Sequence, residues 1–392
     1  MRTISLSLYC SRSFGGTFQY TLSILNAFIS LPDSKYKKTI FVFHDDWKIY
    51  CEELKNLDII YASYNHSFDR LLQLLLFINI PINVLKRIGS MFHPGIRSIN
   101  LSNSEIVIFP SQEIWSCLIN GKFISSILDL MHRYEGIYDS LNKITYYFRE
   151  NRYKNICNYA SGILVDSDLG KLQTIESYGN FVKDKCYILP QLPPPYILNS
   201  NKKIDSKLIS KFNLPQKYII YPANFWEHKN HINLIYAVKE STTIIKDIHL
   251  VLCGSKKRLY KRIIKLIRRL KLTNNVTFLG YLSDLEIVQL YLHSTALIYP
   301  TFFGPTNIPP IEALHLGCPM AVSDVYAHKE QVGDSAIYFN PHDISQIKSA
   351  IIRLWNEPKK IRKHSVNGQK SILFSTMQFQ DKFEQIIEKI SN

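Results

Sequence analysis

Short apolar runs alternate along the chain with longer segments whose apolar residues recur at helical spacing. Runs such as Ile106–Phe109 and Gly162–Val165 lack polar–apolar alternation, so they predict strands buried on both faces. Strands separated by helices predict parallel α/β domains. The predicted strands are Ile4–Tyr9, Thr39–His44, Asp58–Tyr61, Ile106–Phe109, Phe123–Leu130, Gly162–Val165, Tyr187–Pro190, Tyr218–Tyr221, His249–Cys253, Asn275–Leu279, Ala296–Pro300, Met320–Ser323 and Ala336–Phe339.

A group of strong helix and strand breakers interrupts this pattern. Pro190–Pro195 has the sequence PQLPPP, and the polar, lysine-rich Asn199–Lys211 follows before the pattern restarts at Tyr218. A chain of 392 residues is also too long for one ordinary core. We therefore predict a first domain over residues 1–195, a second over 196–375 and a C-terminal helix within 376–392.

The stretch Phe302–Asp324 carries the strongest candidate chemistry. It follows a predicted strand, and ligands bind at the carboxyl ends of such strands. Pro309 and Pro310 fit the start of a short helix that ends at Gly317, and backbone N–H groups at a helix start favour an anion such as phosphate. Glu312, predicted on the first turn, is open to two interpretations: it accepts hydrogen bonds from a diol such as ribose, or it complements the helix dipole.

The chain carries a formal net charge of +15 at pH 7. The densest basic run, Lys256–Lys271, fits the solvated face of an amphipathic helix, whereas the excess over the whole chain indicates an anionic partner. We expect an anionic membrane surface or a phosphorylated lipid. Nucleic acid is not expected, because no motif of an RNA- or DNA-binding fold accompanies the charge.

Three features favour a cytoplasmic protein without a spanning segment. The seven cysteines are scattered without metal or redox spacing, which suits a reducing compartment. The N-terminus resembles a first strand, not a signal peptide. The apolar run Leu71–Ile82 is too short to span a bilayer. It is interpreted as a core helix ending at Pro81, or else as a segment that enters a membrane surface or lines an acceptor groove.

Two further local patterns leave alternatives open. Gly15 and Gly16, between the first strand and first helix, either let the backbone approach a ligand closely or form only a tight turn. The Asp-x-Asp pattern of Asp166 and Asp168 fits a helix cap better than a metal site. We therefore expect no metal and no cofactor.

The stretch Phe302–Asp324 resembles the donor-binding signature of retaining GT-B glycosyltransferases of family 4, Glu-Gly-Phe-Gly-Leu-Pro-x-x-Glu. Glu312 matches the second glutamate, which implies that it holds the nucleotide ribose. Asn307 and Ile308 match the Gly-Leu pair, whose backbone contacts the phosphates and sugar of the donor. Gly304 stands where the family has its first glutamate, so Asn307 or Thr306 would have to bind the sugar hydroxyls instead.

A second segment of the same half also resembles the family. Tyr221–Asn230 corresponds to the segment that carries an arginine and a lysine for the donor diphosphate. Lys229 matches the lysine. Asn224 stands at or beside the arginine, and His228 would compensate if phosphate keeps it protonated. The resemblance also implies that the backbone of Gly280 and Tyr281 contacts the nucleobase.

In the first half, the residues after Phe123–Leu130 resemble the family's His-Asp-Leu-x-His segment. Asp129 and His132 match it, whereas Leu128 replaces the first histidine. A lone histidine after a strand is more often structural, so both roles stay open for His132. The resemblance also implies that Gly15 and Gly16 face both donor and acceptor.

As a whole, the resemblance implies a GT-B fold, with two Rossmann-like parallel-sheet domains facing a central cleft and a C-terminal helix that crosses back to the first domain. It implies a metal-independent, retaining glycosyltransferase that uses a nucleotide-sugar donor. A glycan or lipid-linked acceptor would be extended in surface polysaccharide synthesis, at the inner face of the cell membrane. Two alternatives are a non-catalytic nucleotide-sugar-binding protein, because three motif residues are replaced, and a GT-B sugar epimerase.

Overall fold

The computed structural model describes residues 1–54, 57–62, 66–78, 80–135, 143–363 and 374–391. The chain divides into unit 1, Met1–Leu192 with Phe374–Asn392, and unit 2, Pro193–Leu373. The predicted boundary at residue 375 adjoins residues 364–373, which lie outside the described residues. Residue 79 of the predicted apolar run and residue 392 also lie outside them.

Unit 1 is built on a parallel sheet with strand order β3-β2-β1-β4-β5-β6-β7. Its strands are β1 Arg2–Leu8, β2 Tyr36–Val42, β3 Asp58–Tyr61, β4 Ile106–Phe109, β5 Lys122–Ser126, β6 Gly162–Val165 and β7 Cys186–Ile188. The chain first builds the sheet on one side of β1 and then crosses to the other side at β4. The gap between the ends of β1 and β4 is therefore a topological switch point, where open α/β sheets bind ligands.

Helices flank this sheet, and one prediction about them is wrong in its bounds. They are α1 Gly16–Ser30, α2 Lys48–Cys51, α3 His66–Phe77, α4 Ile82–Phe92, α5 Pro94–Leu101, α6 Met131–Tyr134, α7 Lys143–Tyr159 and α8 Asp168–Tyr178. The apolar run Leu71–Ile82 is not one helix that ends at Pro81, because α3 ends at Phe77 and Pro81 caps the start of α4. Proline is tolerated at a helix start, where no amide hydrogen is needed.

Unit 2 repeats this architecture with the order β10-β9-β8-β11-β12-β13, all parallel. Its strands are β8 Ile219–Pro222, β9 Leu250–Cys253, β10 Val276–Gly280, β11 Ala296–Tyr299, β12 Met320–Ser323 and β13 Ile337–Phe339. Its helices are α9 Pro195–Leu198, α10 Ser206–Ser210, α11 His231–Ser241, α12 Tyr260–Arg269, α13 Asp284–His293, α14 Ile308–Leu316, α15 His328–Val332 and α16 Ile344–Asn356. Here the switch point lies between β8 and β11.

The predicted strands agree best where a short apolar run is bounded by polar residues or proline. Ile106–Phe109, Gly162–Val165 and Met320–Ser323 begin and end where predicted. The predicted strand Phe123–Leu130 is too long, because β5 ends at Ser126. The residues that follow include Ile127 and Leu130, which are buried, so the apolar pattern continues after the strand has ended.

Two predictions from local patterns are confirmed. Ser167 caps α8 by accepting a hydrogen bond from the Gly170 amide at 3.0 Å, so the Asp166–Asp168 stretch is a helix cap. The basic run is the amphipathic helix α12. Its apolar side chains Ile263, Leu266 and Ile267 are buried, whereas Lys261, Arg262, Lys265, Arg268 and Arg269 are exposed.

The C-terminal helix, α17 Thr376–Ser391, packs within unit 1. Phe379, Phe383 and Ile387 of this helix are buried in the same core as α1. None of the described helices is both long and apolar enough to cross a membrane.

Candidate functional site

The strongest cluster of predicted site residues lies at the switch point of unit 2. The loop after β8 carries Lys229, and the loop after β11 carries Asn307. Since β8 and β11 are neighbours in the sheet, their carboxyl ends bring the two loops together. Residues 78 positions apart in the chain are therefore in contact.

Lys229 is held by two hydrogen bonds. Its Nζ donates to Tyr299 Oη and to Asn307 Oδ1, each at 2.9 Å. The ammonium group also lies 5.3 Å from the centroid of the Tyr299 ring. The side chain is half-buried. The charge of Lys229 is thus fixed in position and is not that of a mobile surface lysine.

Asn307 connects Lys229 to a buried histidine. Its Nδ2 faces His328 Nε2 at 2.9 Å, and Nδ1 of His328 faces the Ser323 carbonyl oxygen at 2.8 Å. Because Asn307 Oδ1 accepts from lysine, its amide nitrogen must donate to His328, which is then neutral with its proton on Nδ1. Burial lowers the pKa of His328 to about 4, and the charge of Lys229 acts in the same direction.

Asn307 fills the space in which a side chain at position 304 would begin. Gly304 has φ +132°, a conformation that side chains disfavour. A Cβ atom added there would lie 2.4 Å from Asn307 Nδ2. The two departures from the family signature are therefore coupled, because this Asn307 conformation excludes a glutamate at position 304.

The backbone of Asn307 is also engaged. Its N–H donates to Gln331 Oε1 at 3.0 Å, and its carbonyl oxygen accepts from Gln331 Nε2 at 2.7 Å. The predicted contact between this amide and a donor would have to replace the bond to Gln331. The next residue, Ile308, is half-buried and is the first residue of α14.

Glu312 lies in the second turn of α14, so its predicted first-turn position is wrong. A dipole role is thereby disfavoured, because that effect is confined to the first turn. The side chain is 3% exposed, and its two oxygens accept hydrogen bonds from Tyr196 Oη at 2.5 Å and Tyr291 Oη at 2.7 Å. Burial raises the pKa of Glu312, while the two hydroxyl groups oppose that rise.

The other predicted donor contacts of unit 2 lie on loops at strand ends. Asn224 Oδ1 accepts from the Ser255 amide at 2.7 Å, which gives this residue a structural role. His228 and Thr306 are half-buried. Gly280 ends β10 with φ +78°, and Tyr281 beside it is 76% exposed, so an aromatic face is available at this edge.

The remaining predicted residues belong to unit 1. Asp129 forms an ion pair with Arg149 and accepts from the Met131 amide at 3.0 Å. Burial alone would raise the pKa of Asp129, but Arg149 and that amide hold it below its ordinary value. His132 is buried, with Nε2 3.0 Å from Glu150 Oε2. Gly15 and Gly16 are exposed at the start of α1.

Several residues of the unit 2 site were not found from the sequence. They are Tyr196, Tyr291, Tyr299, His328 and Gln331. Only Tyr299 carried a local signal, since it stands at the end of a predicted strand. The others lie on helices or loops with no motif around them.

Comparisons with known proteins match this architecture. Residues 203–371 match the glycosyl transferases group 1 family. The O-antigen chain mannosyltransferase RfbU of Salmonella typhimurium is 30% identical over 148 residues, which are 37% of this chain and 40% of that protein. The MMP alpha-(1->4)-mannosyltransferase of Mycolicibacterium hassiacum is 28% identical over 109 residues, 27% of this chain and 26% of that protein. The chain thus spans less than half the length of these curated relatives.

Solved structures are similar over nearly the whole chain. Anabaena HepE in complex with UDP-glucose has a TM-score of 0.72 at 16% identity, covering 100% of both chains. Sucrose-phosphate synthase from Thermosynechococcus elongatus has a TM-score of 0.71 at 16% identity, covering 100% of this chain and 99% of that one. At such identities the likeness establishes the fold alone.

Proposed function

We propose that the chain is a retaining glycosyltransferase, because residues 203–371 match the glycosyl transferases group 1 family and the chain has the GT-B fold. It takes a sugar from a nucleotide-sugar donor and adds it to a glycan or lipid-linked acceptor in surface polysaccharide synthesis. The two named curated relatives support mannose as the sugar, because both are mannosyltransferases, one of them for the O-antigen chain.

The observation that carries this proposal is the fixed cation at the switch point of unit 2. When the donor loses its nucleoside diphosphate, negative charge grows on the leaving oxygens. Lys229 and the N-terminal end of α14 both lie on the loops that follow β8 and β11. A preorganised cation and helix end stabilise such charge without reorganisation, so the proposed mechanism needs no metal ion.

The remaining site residues keep the roles that the resemblance implies. In unit 2, Glu312 binds the ribose and the segment at Gly280 and Tyr281 contacts the base. Asn307 is the exception, because its side chain positions Lys229 and does not bind the sugar hydroxyls; its hydrogen bond to Nζ of Lys229 supports this role. In unit 1, Asp129, His132, Gly15 and Gly16 remain the predicted residues at the reacting sugar and acceptor.

A thermal-shift screen tests the donor assignment. Guanosine and uridine diphosphates, with and without linked mannose or glucose, are added to the purified chain. A ligand at one hundred times its Kd stabilises the protein by about 2.7 kcal/mol. Transfer to an added glycan is then measured for the best binder. Stabilisation without transfer or donor hydrolysis would favour the non-catalytic alternative, and an epimerised sugar product would favour an epimerase.

We expect Lys229→Ala to weaken binding of a nucleoside diphosphate about ten- to hundredfold, since charge-assisted hydrogen bonds contribute about 1.5–3 kcal/mol. The melting temperature should change little, because the lysine is only half-buried. Calorimetric titration measures the affinity. The matched control is Lys239→Ala, which removes an exposed lysine of the same unit. Equal affinities of the two variants would contradict the role of Lys229.

The chain is further proposed to act at the inner face of the cell membrane, held by its positive charge. We expect sedimentation with vesicles of anionic lipid that declines as salt is raised. Lys261→Gln with Lys265→Gln, on the exposed face of α12, should reduce it more than the control pair Lys359→Gln with Lys363→Gln. Equal sedimentation with neutral vesicles would contradict an electrostatic attachment.

A further inference from the structure

The switch point of unit 1 holds a second polar cluster that the donor site does not use. Tyr9 follows β1, and Gln112 and Glu113 follow β4, so these residues lie at the carboxyl ends of two neighbouring strands. Arg152 approaches them from α7. This is the place where an open parallel sheet binds its ligand.

Glu113 is the most deeply buried residue of this cluster. It is 1% exposed, and its Oε1 accepts a hydrogen bond from Ser7 Oγ at 3.0 Å. Its Oε2 is buried and has no hydrogen-bond partner within the described part of the chain. Burial raises the pKa of Glu113 to about 8, so the carboxyl group is protonated at pH 7. The proton then resides on Oε2, which becomes a donor without an acceptor.

Arg152 is a half-buried cation for which no counter-ion is found among the described residues. Its Nε has no hydrogen-bond partner, and it forms no ion pair with any residue that the structure describes. The neighbouring Arg149, by contrast, is paired with Asp129. Burial lowers the pKa of Arg152, but a guanidinium stays charged in proteins. An enclosed donor without an acceptor is costly, so Nε of Arg152 is the strongest sign of a missing ligand.

The nearby carboxylate of Asp69 does not fill this role. Its Oδ2 accepts from Tyr9 Oη and its Oδ1 from His93 Nε2, both at 2.7 Å. His93 Nδ1 accepts from the Ile96 amide, so the histidine proton lies on Nε2. Both oxygens of Asp69 are thus bound by other donors.

Part of the cluster is exposed to solvent. Tyr9, Gln112 and Arg152 are each half-buried, whereas Glu113 is buried. Gln112 has φ +63°, and its Oε1 accepts from Tyr153 Oη of α7 at 2.9 Å. A non-glycine residue in this conformation is characteristic of functional loops. The loop after β4 and helix α7 are therefore held together at the opening of the cluster.

We propose that Arg152 and Glu113 form a subsite for an oxyanion group of the acceptor, either a phosphate or a sugar carboxylate. An oxyanion presents only acceptor atoms, and the cluster presents donors that lack acceptors. Arginine binds both groups through paired hydrogen bonds. The proposal rests on the proposed function in calling this ligand the acceptor, but oxyanion binding itself does not depend on that function.

Calorimetric titration of the full chain tests the subsite. Sulfate, which represents a phosphate group and keeps its charge from pH 6 to 9, is compared with glucuronate and with neutral glucose. The donor site is first filled with the nucleoside diphosphate found by the thermal-shift screen. That first titration reports on the proposed function, and the oxyanion titration reports on the subsite. If no nucleotide binds, the oxyanions are titrated against the Lys229→Ala variant.

We expect Arg152→Gln to weaken oxyanion binding about ten- to hundredfold, since each charge-assisted hydrogen bond is strong. Arg152→Lys, which keeps the charge but not the paired geometry, should lose less. The matched control, Lys154→Gln, removes an exposed charge from the same helix and should bind as wild type does. Tighter binding of sulfate indicates a phosphate-bearing acceptor, and tighter binding of glucuronate an acidic glycan.

The pH dependence separates this subsite from surface attraction. As pH rises through about 8, Glu113 loses its proton and repels the ligand, so sulfate binding should decline between pH 7 and 9. The other titratable groups around Glu113 are Tyr9, Asp69, His93 and Arg152. Glu113→Gln should bind sulfate at pH 7 and lose this decline. Wild-type affinity in both arginine variants, or no oxyanion binding by wild type, overturns the proposal.

Discussion

Replacing Glu312 by glutamine should abolish the preference of the protein for a ribose with free hydroxyl groups. Wild type should bind a ribonucleoside diphosphate about ten- to hundredfold more tightly than its 2′,3′-dideoxy analogue, because hydrogen bonds to a charged group contribute about 1.5–3 kcal/mol. Glu312→Gln should bind the two nucleotides with affinities within about threefold of each other. Calorimetric titration of both nucleotides with both proteins gives the four affinities needed.

The same substitution should also lower stability, which the sequence alone did not suggest. Both Glu312 oxygens accept from tyrosine hydroxyl groups, and one of these must lose its acceptor when an amide nitrogen replaces an oxygen. Leaving a buried donor unsatisfied costs about 1–3 kcal/mol. Denaturant unfolding measures this change in the free energy of unfolding.

Tyr291→Phe is the matched control for Glu312→Gln. It removes one hydrogen bond to Glu312 and retains the carboxylate, so stability should fall by a similar amount while the ribose preference persists. If Glu312→Gln keeps the wild-type preference for ribose, Glu312 serves only to hold Tyr196 and Tyr291, and its assignment to the donor is wrong.

Restoring the family glutamate through Gly304→Glu should lower both the stability of the protein and its affinity for a nucleoside diphosphate. The backbone at φ +132° costs a side chain about 1–3 kcal/mol, and overpacking against Asn307 costs about 1–3 kcal/mol more. Displacing Asn307 also frees Lys229, so we expect nucleoside diphosphate binding to weaken at least about tenfold, one step of 1.4 kcal/mol. Denaturant unfolding and nucleotide titration measure the two effects.

Two variants separate the backbone and packing contributions to this loss of stability. Gly280→Ala introduces a side chain at φ +78° where no atom lies within 4 Å of the new Cβ, so it reports the backbone cost alone. Gly304→Glu with Asn307→Gly removes the collision and should recover the packing part of the lost stability. Unchanged stability and affinity in the Gly304→Glu single variant would show that Asn307 does not exclude the glutamate.

The α/β class and the GT-B fold were predicted from the sequence, and both predictions are confirmed. Each depends on signals within a few residues of one another. Met320–Val322 is an uninterrupted apolar run, Gly317 has the left-handed conformation of a helix cap, and Ser167 caps α8. Features of this kind can be predicted from the sequence, because residues close in the chain determine the local backbone conformation.

Which side chains meet could not be predicted from the sequence. Tyr196 and Glu312 are 116 residues apart, and Lys229 and Asn307 are 78 apart. The order of strands in the sheet brings Lys229 and Asn307 together, because β11 pairs with β8 and not with β10, the strand that precedes it in the chain. Glu113 and Arg152 likewise come within electrostatic range of each other because Tyr153 of α7 is hydrogen-bonded to Gln112 in the loop after β4. An apolar pattern indicates that a strand is buried, but it does not indicate which strand lies beside it.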